Sequence, residues 1–294
     1  MSERHPGAAW GFVSPALIAI TVFFVVPVIA ALVLSFTDFD IYGISDPTTV
    51  RFIGLGNYRR LLETPLFWTA LANTTLFVVV GAPLSIAVSF GAALLLDSRL
   101  VRLRGAFRTA LFSPVVTPVV AVAVIWRYIL HTRHGFLNYA LGWLGIDAID
   151  WLGDPHWSMP ALIVFAVWKN FGYNMIIFVA GLQAIPRDLY EAARIDGATR
   201  FQQLRFITVP ALAPTMLLVT ILTMVGYFQL FAEPYVMTRG GPAQSTTSVL
   251  YFMFEEGFKW WNLGFASAVA FVLFAIMLAG TALQLHVVRR WSRP

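Results

Sequence analysis

The chain has 294 residues, of which 59% are hydrophobic and 12% charged, and its formal net charge is +5. A soluble domain sits nearer half apolar and a quarter charged, so the composition argues against an ordinary water-soluble enzyme and points to a bilayer as the solvent. The basic balance is what arginines at the ends of membrane spans produce, without any call for nucleic acid, and the absence of cysteine removes disulfides, thiol chemistry and Cys-based metal sites.

A helix that crosses the roughly 30 Å hydrocarbon core needs about 20 mostly apolar residues. Six stretches meet that requirement: 10–36, 67–96, 105–130, 158–183, 211–236 and 263–288. Each is expected to be helical, because lipid offers no partner to an unpaired backbone group. The first stretch is longer than a signal peptide's apolar core and no small-residue cleavage site follows it, so it is read as a retained span. The loop 37–66 contains RFIGLGNYRRLLETP, with two glycines for a turn and a short helix after it. Pro83, Pro114, Pro118 and Pro214 fall within or near the starts of apolar runs, where neighbouring helices can absorb kinks.

The fourth stretch carries polar groups at membrane depth. Lys169 lies about 16 Å from the outer end of its helix at 1.5 Å per residue, near the midplane, where an inserted lysine costs about 2.5–3.5 kcal/mol. Lys169, Asn170 and Tyr173 share one helix face with Ala166, and that face is expected to look into the bundle. In the fifth stretch Thr223, Tyr227 and Leu230 form a second stripe at i, i+4, i+7. Such groups mark a candidate solute path. Equally, Asn170, Asn174 and Gln229 could join helices by hydrogen bonds, and Glu233 could neutralise Lys169.

Between the fourth and fifth stretches, residues 184–210 read EAARIDGATRFQQLRFITVP at their C-terminal end. Pro186 suits a first helical turn, Asp188 and Glu191 complement its dipole, and Gly197 interrupts before ATRFQQLRFITV resumes as helix. Two short helices hinged at a glycine are expected, lying across the membrane face. On residues alone the loop is either a surface for another protein or an interfacial linker whose arginines meet lipid headgroups. With the N-terminus inside, the inside segments hold Arg4, Arg99, Arg102, Arg104, Arg108, Arg187, Arg194, Arg200, Arg205, Arg289, Arg290 and Arg293. The outside segments hold the shorter set Arg51, Arg59, Arg60, Arg127, Arg133, Arg239 and Lys259. That bias puts both termini and the 184–210 loop in the cytoplasm.

Glu191-Ala192-Ala193, then Gly197, then Ile207-Thr208-Val209-Pro210 resembles the signature loop of permease subunits in binding-protein-dependent ABC importers, which has leucine where this chain has Val209. LSFTDFD, FIGLGNY, ALANT, FVAGLQAIPRDLYEAARIDGA, ITVPALAPT and TRGGPAQST are similar to sugar-importer permeases of the maltose-transporter type. Within those heterodimers the match is to the partner with the GLxNY outer segment, without that subunit's extra N-terminal spans and large periplasmic insertion. The resemblance implies an all-α membrane protein with the type I ABC importer permease fold: six transmembrane helices and both termini cytoplasmic, one permease domain over 1–294. It implies a loop that docks on a cytoplasmic ATPase, with Glu191 as the charged contact, Ala192 and Ala193 as a close-packing surface and Gly197 as the turn. Asp196 and Ala198 complete that set, and Ile207 and Pro210 seat the loop. The implied partners are a second permease subunit, two copies of the ATPase that carry ATP and Mg, an extracytoplasmic solute-binding protein and the bilayer. The implied cargo is a sugar or sugar-like solute, with glycerol-3-phosphate or a glycerophosphodiester as the alternative. Lys169, Asn170, Tyr173, Asn174, Thr223 and Tyr227 fall where such permeases hold their sugar, and Lys169 would suit an anionic one.

No cofactor is expected on this chain. Its two lysines, Lys169 and Lys259, lie outside any G-x-x-x-x-G-K-[ST] loop. A proton- or sodium-coupled carrier would need acids deep in the spans. A membrane enzyme would need convergent catalytic groups, whereas His5, His131, His134, His156 and His286 sit in tails, loops or the far end of the last stretch.

Overall fold

The computed structural model describes residues 6–98 and 102–291. Arg4, Arg99 and Arg293, which enter the orientation argument, lie outside the described residues. The described chain is all-helical apart from one isolated antiparallel bridge, Thr37 to Phe52. By internal packing it falls into two compact units, one within residues 1–67 and 252–275, the other within 68–251 and 276–294.

The first unit begins with α1 (Trp10–Leu34), none of whose most apolar stretch is buried. A helix this greasy and this uncovered has lipid or another chain as its solvent. After it, the FIGLGNY segment folds back. Gly54 takes φ +56°, a left-handed turn that glycine adopts without steric cost. The turn delivers α2 (Gly56–Glu63), whose buried Asn57 donates Nδ2–H to Ser35 O at 2.9 Å and to Thr37 O at 2.8 Å. One amide thus satisfies two carbonyls released where α1 ends.

The second unit is built around α3 (Pro65–Asp97), α4 (Arg104–Val116), α5 (Val119–Ile129) and α6 (Pro155–Gln183). Asp154 caps α6 by accepting His156 N–H at 2.8 Å, a standard way to satisfy a first-turn donor. Helix α6 is the most buried of the long helices. It meets α4 so closely that a Cβ on Gly172 would lie 2.4 Å from Leu111 O. The expected third span is not one helix: α4 and α5 meet at 97°. Thr117 precedes Pro118 and takes ψ 143°, as the proline ring excludes the helical conformation from the residue before it.

The loop after α6 holds α7 (Arg187–Ile195) and α8 (Arg200–Ala211), and α8 turns through 68° into α9 (Ala213–Phe228). Helix α9 ends at Phe228, earlier than the expected limit of 236, because Gln229 leaves helical geometry (φ −87°, ψ 28°). Among the described residues four helices are long and apolar enough to cross a membrane, or up to six if each bent pair counts as one span. Two of the family-like segments meet here: Asn73 of ALANT donates Nδ2–H to Gln244 O (2.8 Å) and Thr247 O (3.0 Å) of the TRGGPAQST turn. Helix α10 (Leu263–Trp291) closes the described chain.

Candidate functional site

The charged loop is built around a helix end that only a glycine makes comfortable. Ala198 N–H bonds to Ala193 O at 2.8 Å and Gly197 N–H to Arg194 O at 3.1 Å. This 6→1 and 5→2 pair is the Schellman closure, and it needs a left-handed residue after the cap. Gly197 supplies it with φ +77°. Asp188 in the first turn and Arg194 in the last complement the dipole of α7. Immediately after the turn, Thr199 and Gln202 form a reciprocal capping box that starts α8.

Among the residues singled out from the sequence, Glu191, Ala192, Asp196 and Gly197 are exposed, and Ala193 and Ala198 are half-buried. Ile207 packs against the apolar cluster of Phe178, Leu182, Ile185 and Leu212 that anchors the loop to α6 and α9. Pro210 is exposed at the bend rather than buried against that cluster. The sequence reading missed the loop's apolar surface. Ile195 is 87% exposed, and Phe201 and Phe206 are also exposed. Their signal was available, since apolar side chains in so charged a stretch have no lipid-buried face to fill. Tyr190 was also missed: its hydroxyl lies 2.9 Å from Thr208 Oγ1.

The second group, on α6 and α9, is divided by the packing. Lys169 is only 8% exposed, and its ammonium donates to Val115 O at 3.1 Å. That carbonyl lies near the end of α4, where helical acceptors lose their partners at the Thr117–Pro118 bend. The expected neutralisation by Glu233 is not seen: the two form no ion pair among the described residues. Asn174 is 4% exposed and donates Nδ2–H to Thr223 Oγ1 at 2.8 Å. These two residues therefore join α6 to α9. Tyr227 is buried, its ring 5.0 Å from that of Phe77 and closed against Gly81.

The expectation that Ala166, Lys169, Asn170 and Tyr173 look together into the bundle is corrected. Ala166 and Lys169 are buried, but Asn170 is exposed and Tyr173 is 50% exposed. The four fall within about 100° of arc, and they divide along the axis instead: the two nearer the N-terminal end of α6 are covered, and the two that follow are not. Asn170 bonds its own helix, donating to Ala166 O at 2.9 Å. Of the residues expected to line a solute path, only Asn170 and Tyr173 are exposed.

Residues 85–293 match the family described as binding-protein-dependent transport system inner membrane component. The chain is 36% identical over 285 residues to the lactose transport system permease protein LacF of Rhizobium radiobacter, covering 95% of this chain and 93% of that one. It is 34% identical over 292 residues to the trehalose/maltose transport system permease protein MalF of Thermococcus litoralis, covering 98% and 96%. A chain in the crystal structure of a bacterial ABC transporter involved in the import of the acidic polysaccharide alginate superposes with a TM-score of 0.81 at 23% identity, covering 97% and 96%. That likeness establishes a shared fold. With a glycine-closed loop carrying Glu191-Ala192-Ala193 beside apolar helices, and with these relatives along nearly its whole length, the chain belongs to the family of binding-protein-dependent transport system inner membrane components.

Proposed function

We propose that this chain is the transmembrane permease subunit of an ATP-driven importer. It would receive a sugar or sugar-like solute from an extracytoplasmic binding protein and pass it to the cytoplasm. Six spans place both termini and the 184–210 loop inside, and residues 1–294 act as one permease domain. A second permease subunit completes the pathway, and two copies of an ATPase carry ATP and Mg. This chain brings no nucleotide site of its own. The observation that carries the proposal is the Schellman-closed helix α7, which presents Glu191 and Ala192 outward with Asp196, Gly197 and Ile195 at its end. A short rigid helix with a charged group, small side chains and an apolar tip suits a cleft on a protein better than a headgroup layer.

In this reading, closure of the ATPase dimer on ATP carries α7 with it, and the spans rock between inward-open and outward-open arrangements. Asn170 and Tyr173, exposed on α6, face the second permease and offer amide and aromatic groups to a sugar's hydroxyls and ring. Lys169, Asn174, Thr223 and Tyr227 support that face from behind. The relatives named for lactose and for trehalose/maltose favour sugars. Because Lys169 already serves Val115 O, an anionic cargo draws no support from it.

Glu191→Lys tests the docking role. In the purified complex it is expected to weaken retention of the ATPase, or to leave ATP hydrolysis running without uptake, while the melting temperature of the permease is kept. Wild-type uptake and wild-type ATPase activity in that variant would sink the assignment. A thermal-shift screen of the partner binding protein against sugars and glycerol phosphodiesters decides the cargo class.

A further inference from the structure

The hinge at Gly197 poses a mechanical question for the loop just described. A left-handed glycine with open space around its Cβ position is a poor conductor of force, because its dihedrals are the freest in the chain. Something besides the backbone has to join α7 to α8 if a push on α7 is to reach α9.

The tie is Tyr190 to Thr208. Tyr190 sits on α7 one residue before Glu191, on the face turned away from the exposed set, and its ring packs on the cluster of Phe178, Leu182, Ile185 and Leu212. Thr208 is buried. Its Oγ–H donates to Gln203 O at 3.4 Å, so the 2.9 Å contact is Tyr190 O–H donating to Thr208 Oγ1. Thr208 ends a π-helical turn, Leu204–Thr208, in which Val209 N–H reaches back to Leu204 O. Such wide turns interrupt α-helices at sites under functional constraint. Three residues past that turn, after Ala211, α8 gives way to Leu212 and the 68° bend into α9. The bond from Gln203 Nε2–H to Ala198 O at 2.9 Å lies wholly on the α8 side of Gly197 and does not cross the hinge.

We infer that Tyr190 and Thr208 form a clamp that makes α7 and the π-turn of α8 move as one body, so that motion of the docking helix is delivered to α9 rather than absorbed at Gly197. The clamp rests on the docking role proposed for α7, and it adds a pair of positioning residues that face away from the ATPase. Losing one such hydrogen bond raises the population of the released arrangement about fivefold.

The chain contains no cysteine, so it contributes no background label of its own and can be labelled before assembly with its partners. Nitroxides on Arg187→Cys, in α7, and Leu218→Cys, exposed on α9, report the separation of the two helices in the complex purified with its ATPase. With Tyr190 and Thr208 intact, one narrow distance distribution is expected, unchanged by ATP and Mg. Tyr190→Phe, which keeps the ring and its packing, and Thr208→Val, which keeps the shape, should each broaden the distribution and make it shift with nucleotide. Combining them should add nothing, and Thr208→Ser should restore the narrow peak. Narrow, nucleotide-independent distributions in both variants overturn the clamp. So does a broad distribution in the intact chain, or loss of the ATPase from Tyr190→Phe, which would make Tyr190 part of the docking surface. Failure of the labelled wild-type chain to retain any ATPase would instead overturn the docking role itself.

Discussion

Replacing Gly197 by alanine isolates the conformational cost of the helix end from every other effect. An ideal Cβ there meets no heavy atom within 4 Å, so no clash contributes. What remains is the left-handed backbone, φ +77°, which costs an L-residue with a Cβ about 1–2 kcal/mol. The alanine chain can escape only by breaking Ala198 N–H to Ala193 O and Gly197 N–H to Arg194 O, the bonds that end α7. Hydrogen exchange of the peptide covering 187–203, read by mass spectrometry on the purified complex, should therefore accelerate about tenfold in Gly197→Ala. Gly197→Asn should recover most of the protection, because asparagine tolerates the left-handed region. Gly197→Pro should be worst of the three, losing the N–H and fixing φ near −65°. Exchange in Gly197→Ala equal to wild type, or in Gly197→Asn as fast as in Gly197→Ala, would refute the reasoning, since both follow from φ alone.

Gly172→Ala is a contrasting case, because its Cβ would fall 2.4 Å from Leu111 O and 3.1 Å from Phe112 Cα. Backbone cannot swing aside as a side chain does, and overpacking of this kind costs about 1–3 kcal/mol, so the melting temperature in detergent should drop. Asn174→Ala and Thr223→Val should each cost about 0.6 kcal/mol, the mean for hydrogen bonds between membrane helices. The double variant should cost no more than the larger single effect, as measured by reversible unfolding in mixed micelles. Beyond the C-terminal end of α1, Asp38 accepts Arg51 N–H at 2.7 Å and Arg51 Nε–H at 2.9 Å. The backbone bond, followed by the guanidinium, holds its carboxyl below the usual carboxylate range. That interaction is in full force above pH about 3.9, the unfolded value, and is lost as pH falls through the lower folded one. The stability difference between wild type and Asp38→Asn should thus be constant near neutrality and vanish in acid.

The elements most legible from the chain were those whose pattern is set locally. Helices α1, α3, α6 and α10 follow the apolar runs because lipid permits little else. The order of helix, glycine and helix from Arg187 to Pro210 follows from Pro186, Gly197 and Thr199, each of which acts on its own neighbours. The breaks were less legible although their residues were noted. Pro118 could have been a kink like Pro83, which lies inside one continuous helix. Whether a proline bends a membrane helix by a little or by 97° depends on which neighbours donate to the freed carbonyls, and here the Lys169 ammonium donates to Val115 O from another helix.

The sequence by itself determined that this is a membrane-embedded helical chain with a charged, motif-bearing loop between two apolar runs, because bilayer thickness and turn chemistry read directly in residue types and spacing. Only the tertiary structure decided which polar groups are free. It committed Lys169 to α4 and Asn174 to Thr223, left Asn170 and Tyr173 open, and tied Tyr190 across the hinge to Thr208. Those pairings join residues as far as 54 positions apart. No local rule specifies them, since a buried polar group takes whichever partner the packing of distant helices brings within reach.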